Sequence, residues 1–275
     1  MLKKTPRILI GLIHNYDKKR YPYIRKNLLS LKKELKKNYT ADYEEVATQA
    51  RIVPLGFTKT ILRKIQIWEL SRQFTQYRKY SPRNIILDLL ILLHRFFKVY
   101  LSKDWETKRA AIDITVTDKH LRLWSLFLEK KFDFLICFED DIVFNKNSIS
   151  RLISYLKTLT TSNKIPVYLN LGGGYPVSMM GDKKILLKEI GGRRFHKKPT
   201  TNTAACYLIN NLSAGIFIQI LIRNPNFRLF AIDHLLNKLF IESAPGNKFY
   251  SYHATPPIFV HGSIEGKYKS WIENK

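Results

Sequence analysis

Residues 132–144 read FDFLICFEDDIVF: a continuous apolar run, three adjacent acids, then a second apolar run. An unbroken run of this length suits a strand covered on both faces, because a strand with one wet face alternates instead. Strands of that kind belong to sheets with helices on both sides. The acids narrow the choice further. Glu139, Asp140 and Asp141 repel one another, and taking each out of water costs several kcal/mol unless a cation stands nearby. In open α/β sheets the carboxyl ends of the strands are where ligands bind, so a cluster of acids there has a use.

The neighbouring segments repeat the pattern. RILIGLIHN predicts a short buried strand over residues 7–13 with a polar exit at His14 and Asn15. Next, YPYIRKNLLSLKKELKK spaces Ile24, Leu28, Leu31 and Leu35 by three or four, which is a helix with a basic outer face. EEVATQARIVPL suggests a second strand over 47–53. Strand, helix, strand is the opening of an α/β domain. Residues 112–131 are helical in period, with a stripe of Ile112, Val116, Leu121, Trp124, Phe127 and Leu128 and with His120 on its polar side. After the acids come a helix in ISRLISYLKTL, a strand in IPVYLNLGGG, a strand or strand–helix junction in TAACYLIN, helices in SAGIFIQILI and FAIDHLLNKLF, and a last strand in TPPIFVHGS. No internal repeat is present. The expectation is one domain over 1–275, with a helical insertion at about 59–109 that holds 12 Lys or Arg against four acids.

With 275 residues the chain can bury a large core, and 45% hydrophobic residues exclude a chain dominated by disorder. The formal charge of +25 suits an anionic partner: nucleic acid, an acidic membrane face or a phosphorylated substrate. No helix-turn-helix, zinc-finger or RRM signature accompanies it, which argues against nucleic acid. Cys137 and Cys206 lie inside apolar runs without a second Cys at metal or redox spacing, so both are expected as buried thiols in a reducing compartment. The N-terminal apolar run is too short for a signal peptide, and the expected location is cytoplasmic. The apolar window at 84–101 carries Asp88, His94, Arg95 and Lys98, so it does not meet the demand of a membrane span. It reads as a buried helix, or as a basic helix lying on an anionic bilayer.

Crowded carboxylates favour a hard divalent cation such as Mg²⁺ or Mn²⁺. Such a cation could clamp a diphosphate and offset charge that builds on a leaving group. The plainer alternative is a solvated acidic turn. Gly172, Gly173 and Gly174 after YLNL would let backbone approach a sugar or phosphate, with Asn170 bonding a hydroxyl; a tight turn explains them equally. No Gly-Lys-Ser/Thr follows, so this is not a P-loop.

The order of HLRLW, FLICFEDDIVF, TNTAACYLIN and AIDHLL over residues 112–262 resembles the glycosyltransferases of family 25. These are the transferases of bacterial lipooligosaccharide outer-core synthesis and their collagen-modifying relatives. The chain departs from them at Lys119, where the family carries Ser, and at Lys19-Arg20, where it carries a pair of arginines. The resemblance implies a GT-A-like, Rossmann-like sheet, mostly parallel and flanked by helices. It also implies transfer of a hexose from a nucleotide diphosphate sugar, a UDP-hexose by expectation, to a lipooligosaccharide, LPS or capsule-type acceptor. The reaction would be metal-dependent and inverting, with peripheral contact at an anionic membrane and no nucleic acid as partner. By the same resemblance Asp141, Glu139 and His261 hold Mn²⁺ or Mg²⁺. Glu139, Asp140, Asn170, Gly172, Gly173, Asn202, Thr203 and Lys267 face the donor, with Lys269 near its phosphates. Asp233 takes the acceptor's proton, the plainer alternative being a surface charge at a helix N-terminus. His120, from its place on the helix, either backs the acidic loop or is a structural histidine with its hydrogen bonds satisfied. A transferase-like scaffold without activity is the remaining alternative.

Overall fold

The computed structural model describes residues 5–47, 105–159, 165–173, 186–190, 193–196, 203–243 and 250–268, with positions 90 and 93. In chain order the elements are β1 (Arg7–His14), α1 (Arg20–Leu35), β2 (Thr40–Ala47), α2 (Trp105–Glu129), β3 (Phe134–Glu139), β4 (Ile142–Phe144), α3 (Ser148–Leu159), β5 (Val167–Asn170), β6 (Gly172–Gly173), β7 (Leu186–Ile190), β8 (Arg193–His196), β9 (Cys206–Asn210), α4 (Asn211–Arg223), a 3₁₀ turn (Pro225–Leu229), α5 (Ile232–Ser243), β10 (Tyr250–Ala254) and β11 (Phe259–His261).

Eight strands form one sheet in the order β2-β1-β3-β9-β5-β10-β8-β7. β1 pairs in parallel with β2 and β3, and β5 with β10; β9 runs against β3 and β5, and β8 against β10 and β7. Six strands thus point one way and two the other. This is the mostly parallel α/β sheet, Rossmann-like in its βαβ opening, that the apolar strands predicted. A second sheet, β4-β11-β6, stands at the carboxyl end of the first.

Two cores flank the large sheet. On β1, Ile8, Ile10 and Leu12 turn to one face, where Ile24, Leu28, Leu31 and Leu35 of α1 and Leu152 and Leu156 of α3 cover them. Leu9 and Ile13 turn to the other, where Leu123, Trp124 and Phe127 of α2, Phe217 of α4 and Leu235, Leu239 and Phe240 of α5 pack. Gly11 belongs to this second face: a Cβ there would fall 2.3 Å from the side chain of Leu123, so α2 lies directly on the strand. Cys137 and Cys206 are buried free thiols.

Three expectations change. The second strand is Thr40–Ala47, not 47–53; residues 48–53 lie outside the described ones. Its pattern was hard to read because β2 is an edge strand, in which half-exposed acids interrupt the apolar alternation. The helix expected to begin at 112 begins at Trp105. It therefore takes in residues 105–109, which had been assigned to the insertion; the rest of 59–109, apart from helical positions 90 and 93, lies outside the described residues. β7, β8 and β10 were not expected at all.

Candidate functional site

β1, β3 and β5 end, and β9 begins, along one edge of the large sheet. Ile13 lies opposite Glu139 in the β1–β3 ladder, so His14 and Asn15 emerge beside the acids. The small sheet supplies the other wall. β4 follows Asp141 directly, and its antiparallel pairing with β11 sets His261 opposite Ile142, next to Asp141.

The three acids are held in three different ways. Asp141 is 7% exposed. Its Oδ2 accepts a hydrogen bond from Ser263 Oγ at 2.6 Å and lies 3.3 Å from His261 Nδ1. Its carbonyl accepts from the Gly262 N–H at 2.8 Å. A Cβ on Gly262 would stand 2.5 Å from the Tyr268 ring and 2.6 Å from that carbonyl, so this approach needs glycine. Asp140 is 5% exposed and points toward β1 and α1. Its Oδ2 accepts the Asn15 N–H at 3.2 Å, and Oδ1 lies 3.6 Å from Nη1 of the buried Arg20. Glu139 keeps a quarter of its side chain exposed and places Oε1 3.1 Å from His120 Nε2.

Repulsion and burial leave their mark on the protons. Burial, with Asp141 next, pushes the Glu139 carboxyl up to about 7, while His261 and Lys119 pull it back and Asp233 adds to the rise. Burial and then Asp141 raise Asp140 to about 6 against the pull of Arg20. On the cationic side, burial lowers Lys119 to about 8, with Asp140 and Glu139 opposing. Burial, then Lys119, lowers His120 to about 3, so that ring is neutral.

Lys119 was singled out only as a departure from a resemblance. It is 1% exposed, and its Nζ donates to the His14 carbonyl at 2.9 Å and to Asn15 Oδ1. The chain thus carries its own counter-cations, Lys119 and Arg20, against the acid cluster. His120, expected on the polar side of its helix, is fully buried. One turn earlier, Thr117 Oγ1 donates to the Phe230 carbonyl at 2.7 Å, just ahead of α5. Residues 117–120 of α2 therefore tie down the end of β1, the end of β3 and the approach to α5.

α5 carries Asp233 in its first turn, where Oδ1 accepts the His234 N–H at 2.9 Å and where the helix dipole favours a negative charge. Asp233 is close enough for its charge to raise the proton affinity of Glu139. Glu139, Asp141 and His261 stand at one sheet edge, and the charge of Asp233 is felt there. Asn170 is at the end of β5, where Nδ2 donates to the Thr203 carbonyl at 3.1 Å. Gly172 and Gly173 form β6 rather than a turn, and a Cβ on Gly172 would meet Cys206 at 3.2 Å, which gives its bare Cα a packing reason. Lys267 is exposed, and its N–H caps the Gly262 carbonyl at 2.8 Å. Gly174, Asn202 and Lys269 lie outside the described residues. Arg20, Asn15, Ser263 and Tyr268 were missed as site residues; the polar exit after β1 and the Gly-Ser after His261 were the only local signals.

Two donor atoms fit a cation. Asp141 Oδ1 and His261 Nδ1 are buried without hydrogen-bond partners. Among the described residues no three His, Cys, Asp or Glu converge closely enough to enclose an ion, so a cation here would draw the rest of its shell from ligand oxygens and water.

No protein-family model matches the chain, and neither does any curated protein sequence. Among solved structures, one similar in fold is a glycosyltransferase involved in the glycosylation of the major capsid of PBCV-1. It shares 11% identity over 93% of this chain and 92% of its own length, with a TM-score of 0.41.

Proposed function

We propose that the chain is a glycosyltransferase that moves a hexose from a nucleotide diphosphate sugar, a UDP-hexose in the first instance, to a glycan or glycolipid acceptor of the lipooligosaccharide, LPS or capsule type. One observation carries the reading: Asp141 presents a buried, unpartnered Oδ1 beside His261 at the carboxyl edge of the sheet. Burying an ionised oxygen without a partner costs several kcal/mol, which a cation bound with its ligand would offset. The resemblance to the family 25 transferases would give the same residues the same roles.

Asp141 and His261 would hold Mg²⁺ or Mn²⁺, which when bound supplies positive charge to a diphosphate. The acceptor oxygen attacks the anomeric carbon while the bond to the diphosphate oxygen breaks, and the electron pair leaves with the diphosphate. The acceptor's proton passes to the Asp233 carboxylate, as an inverting transfer requires. Lys119 and Arg20 keep Asp140 and the β1 exit in place from behind, where neither needs to touch substrate.

Turnover of a panel of nucleotide sugars, with and without Mn²⁺, tests this. The wild-type chain should turn over at least one donor in a metal-dependent way. Asp141→Asn should lose about a hundredfold or more, and Asp233→Asn about 10²- to 10⁴-fold in transfer. Unchanged turnover in Asp141→Asn would remove the cation from the mechanism. No turnover of any donor would overturn the reading.

A further inference from the structure

We propose that His120 is a positioning residue: a buried hydrogen-bonded chain from Trp124 through Tyr207 to His120 aims its Nε2–H at Glu139 and fixes the orientation of that carboxylate at the rim of the site. This deepens the transferase reading, on which the donor-facing role of Glu139 rests.

The direction of each bond follows from what the groups can do. An indole N–H only donates, so Trp124 Nε1, 2.8 Å from the Tyr207 hydroxyl oxygen, makes that oxygen an acceptor. Tyr207 keeps one hydrogen to give. His120 Nδ1 lies 2.8 Å from the same oxygen, with Cys137 Sγ a longer neighbour at 3.5 Å. When Nδ1 accepts from Tyr207, the neutral ring carries its hydrogen on Nε2, which faces Glu139 Oε1 at 3.1 Å.

Packing holds this arrangement rigid. His120 and Trp124 are four residues apart on α2 and so share a face of the helix. Both are fully buried, as is Tyr207 on β9. The Tyr207 ring stacks on His120 at 5.6 Å and on Tyr168 at 5.7 Å, and Tyr168 meets Phe240 edge-on at 5.0 Å. Of the four members only Glu139 reaches solvent. Its Oε1 is engaged by His120, while a quarter of the side chain stays exposed. A histidine serving the core alone would have no need to end on the one acid of the cluster that stays open.

The test uses the full chain with ¹⁵N-labelled histidine, the His120 signal being assigned by its loss in His120→Leu. Nitrogen shifts should report a neutral ring protonated on Nε2. In Tyr207→Phe, which removes the hydrogen given to Nδ1, they should move toward the Nδ1–H form. Gln reproduces the Nε2 donor and Asn the Nδ1 position. His120→Gln should therefore keep the donor KM within about fivefold, while His120→Asn and His120→Leu raise it about tenfold or more beyond that at an equal thermal midpoint. An Nδ1–H ring in the wild type, or a KM in His120→Leu no different from that in His120→Gln, overturns the proposal. Should the wild type bind no nucleotide sugar, the transferase reading fails, and the tautomer with its response to Tyr207→Phe decides the positioning claim by itself.

Discussion

Asp140 is almost wholly buried, with a backbone N–H 3.2 Å from one carboxylate oxygen and a guanidinium 3.6 Å from the other. Burial and the neighbouring Asp141 outweigh the pull of Arg20 and the Asn15 N–H, and its proton affinity rises to about 6. An unfolded aspartate titrates near 3.9. Between those values the folded chain holds more protons than the unfolded one, so the contribution to stability is full below about pH 4 and is lost as pH rises through 6. Asp140→Asn should flatten this slope. In thermal melts from pH 4.5 to 7.5 the wild type should lose on the order of 1 to 3 kcal/mol more than the variant; equal slopes would show that burial and Asp141 do not raise the proton affinity of this carboxyl. The acids themselves were legible because three charges interrupt an apolar strand. Their answering cations were not. Lys119 lies 105 residues from His14, and Arg20 is as remote in sequence from Asp140, and nothing in a basic chain distinguishes a buried lysine from its many solvated ones.

Elements with a single clean period were readable: α1 by its four buried apolar residues at helical spacing, β1 and β3 by continuous apolar runs. β7 and β8 were not, because LLKEI and RRFH pair at the far edge of the sheet and mix charge with apolar residues. β10, YSYHA, has no strong apolar run to mark it. α2 was readable as a helix, but its role as the clamp of the site was not, since that depends on which strand ends lie beneath it. Its seat on β1 is set by Gly11. An alanine there would place Cβ 2.3 Å from Cδ2 of the fully buried Leu123. Overpacking of this kind costs about 1–3 kcal/mol, and the shift would be felt at Lys119 and His120, one turn away on the same helix. Gly11→Ala should therefore lower both thermal midpoint and turnover. The pair Gly11→Ala/Leu123→Ala should recover part of the loss relative to the sum of the singles. Strict additivity in that cycle would mean that the two residues do not share the contact.

Across the molecule, charge is segregated: 47 Lys and Arg stand against 22 Asp and Glu, and three of those acids are gathered at one inner edge of the sheet. On α1 the acids neutralise part of the excess positive charge, with Arg25 paired to Glu45, Lys32 to Asp42 and Lys37 to Glu34. Lys26 and Lys33, seven residues apart on the exposed face, have no acid within ion-pair distance among the described residues, and Leu29 between them is 42% exposed. No described helix is long and apolar enough to cross a membrane. If the acceptor is a glycolipid, a basic face with an apolar residue in it offers surface attachment in place of a span, each lysine near an anionic bilayer contributing about 1 kcal/mol. The chain should then be retained by vesicles containing phosphatidylglycerol at low ionic strength and released at about 0.5 M salt, where the Debye length shrinks to a few Å. Lys26→Glu/Lys33→Glu should cut retention by about tenfold or more while leaving turnover of a soluble donor in place, since neither residue touches the site. Duplex DNA serves as the competing anion. Binding to DNA as strong as to the vesicles, and equally insensitive to the two substitutions, would assign the charge to no particular surface and withdraw α1 from any role in bringing the acceptor to the acids.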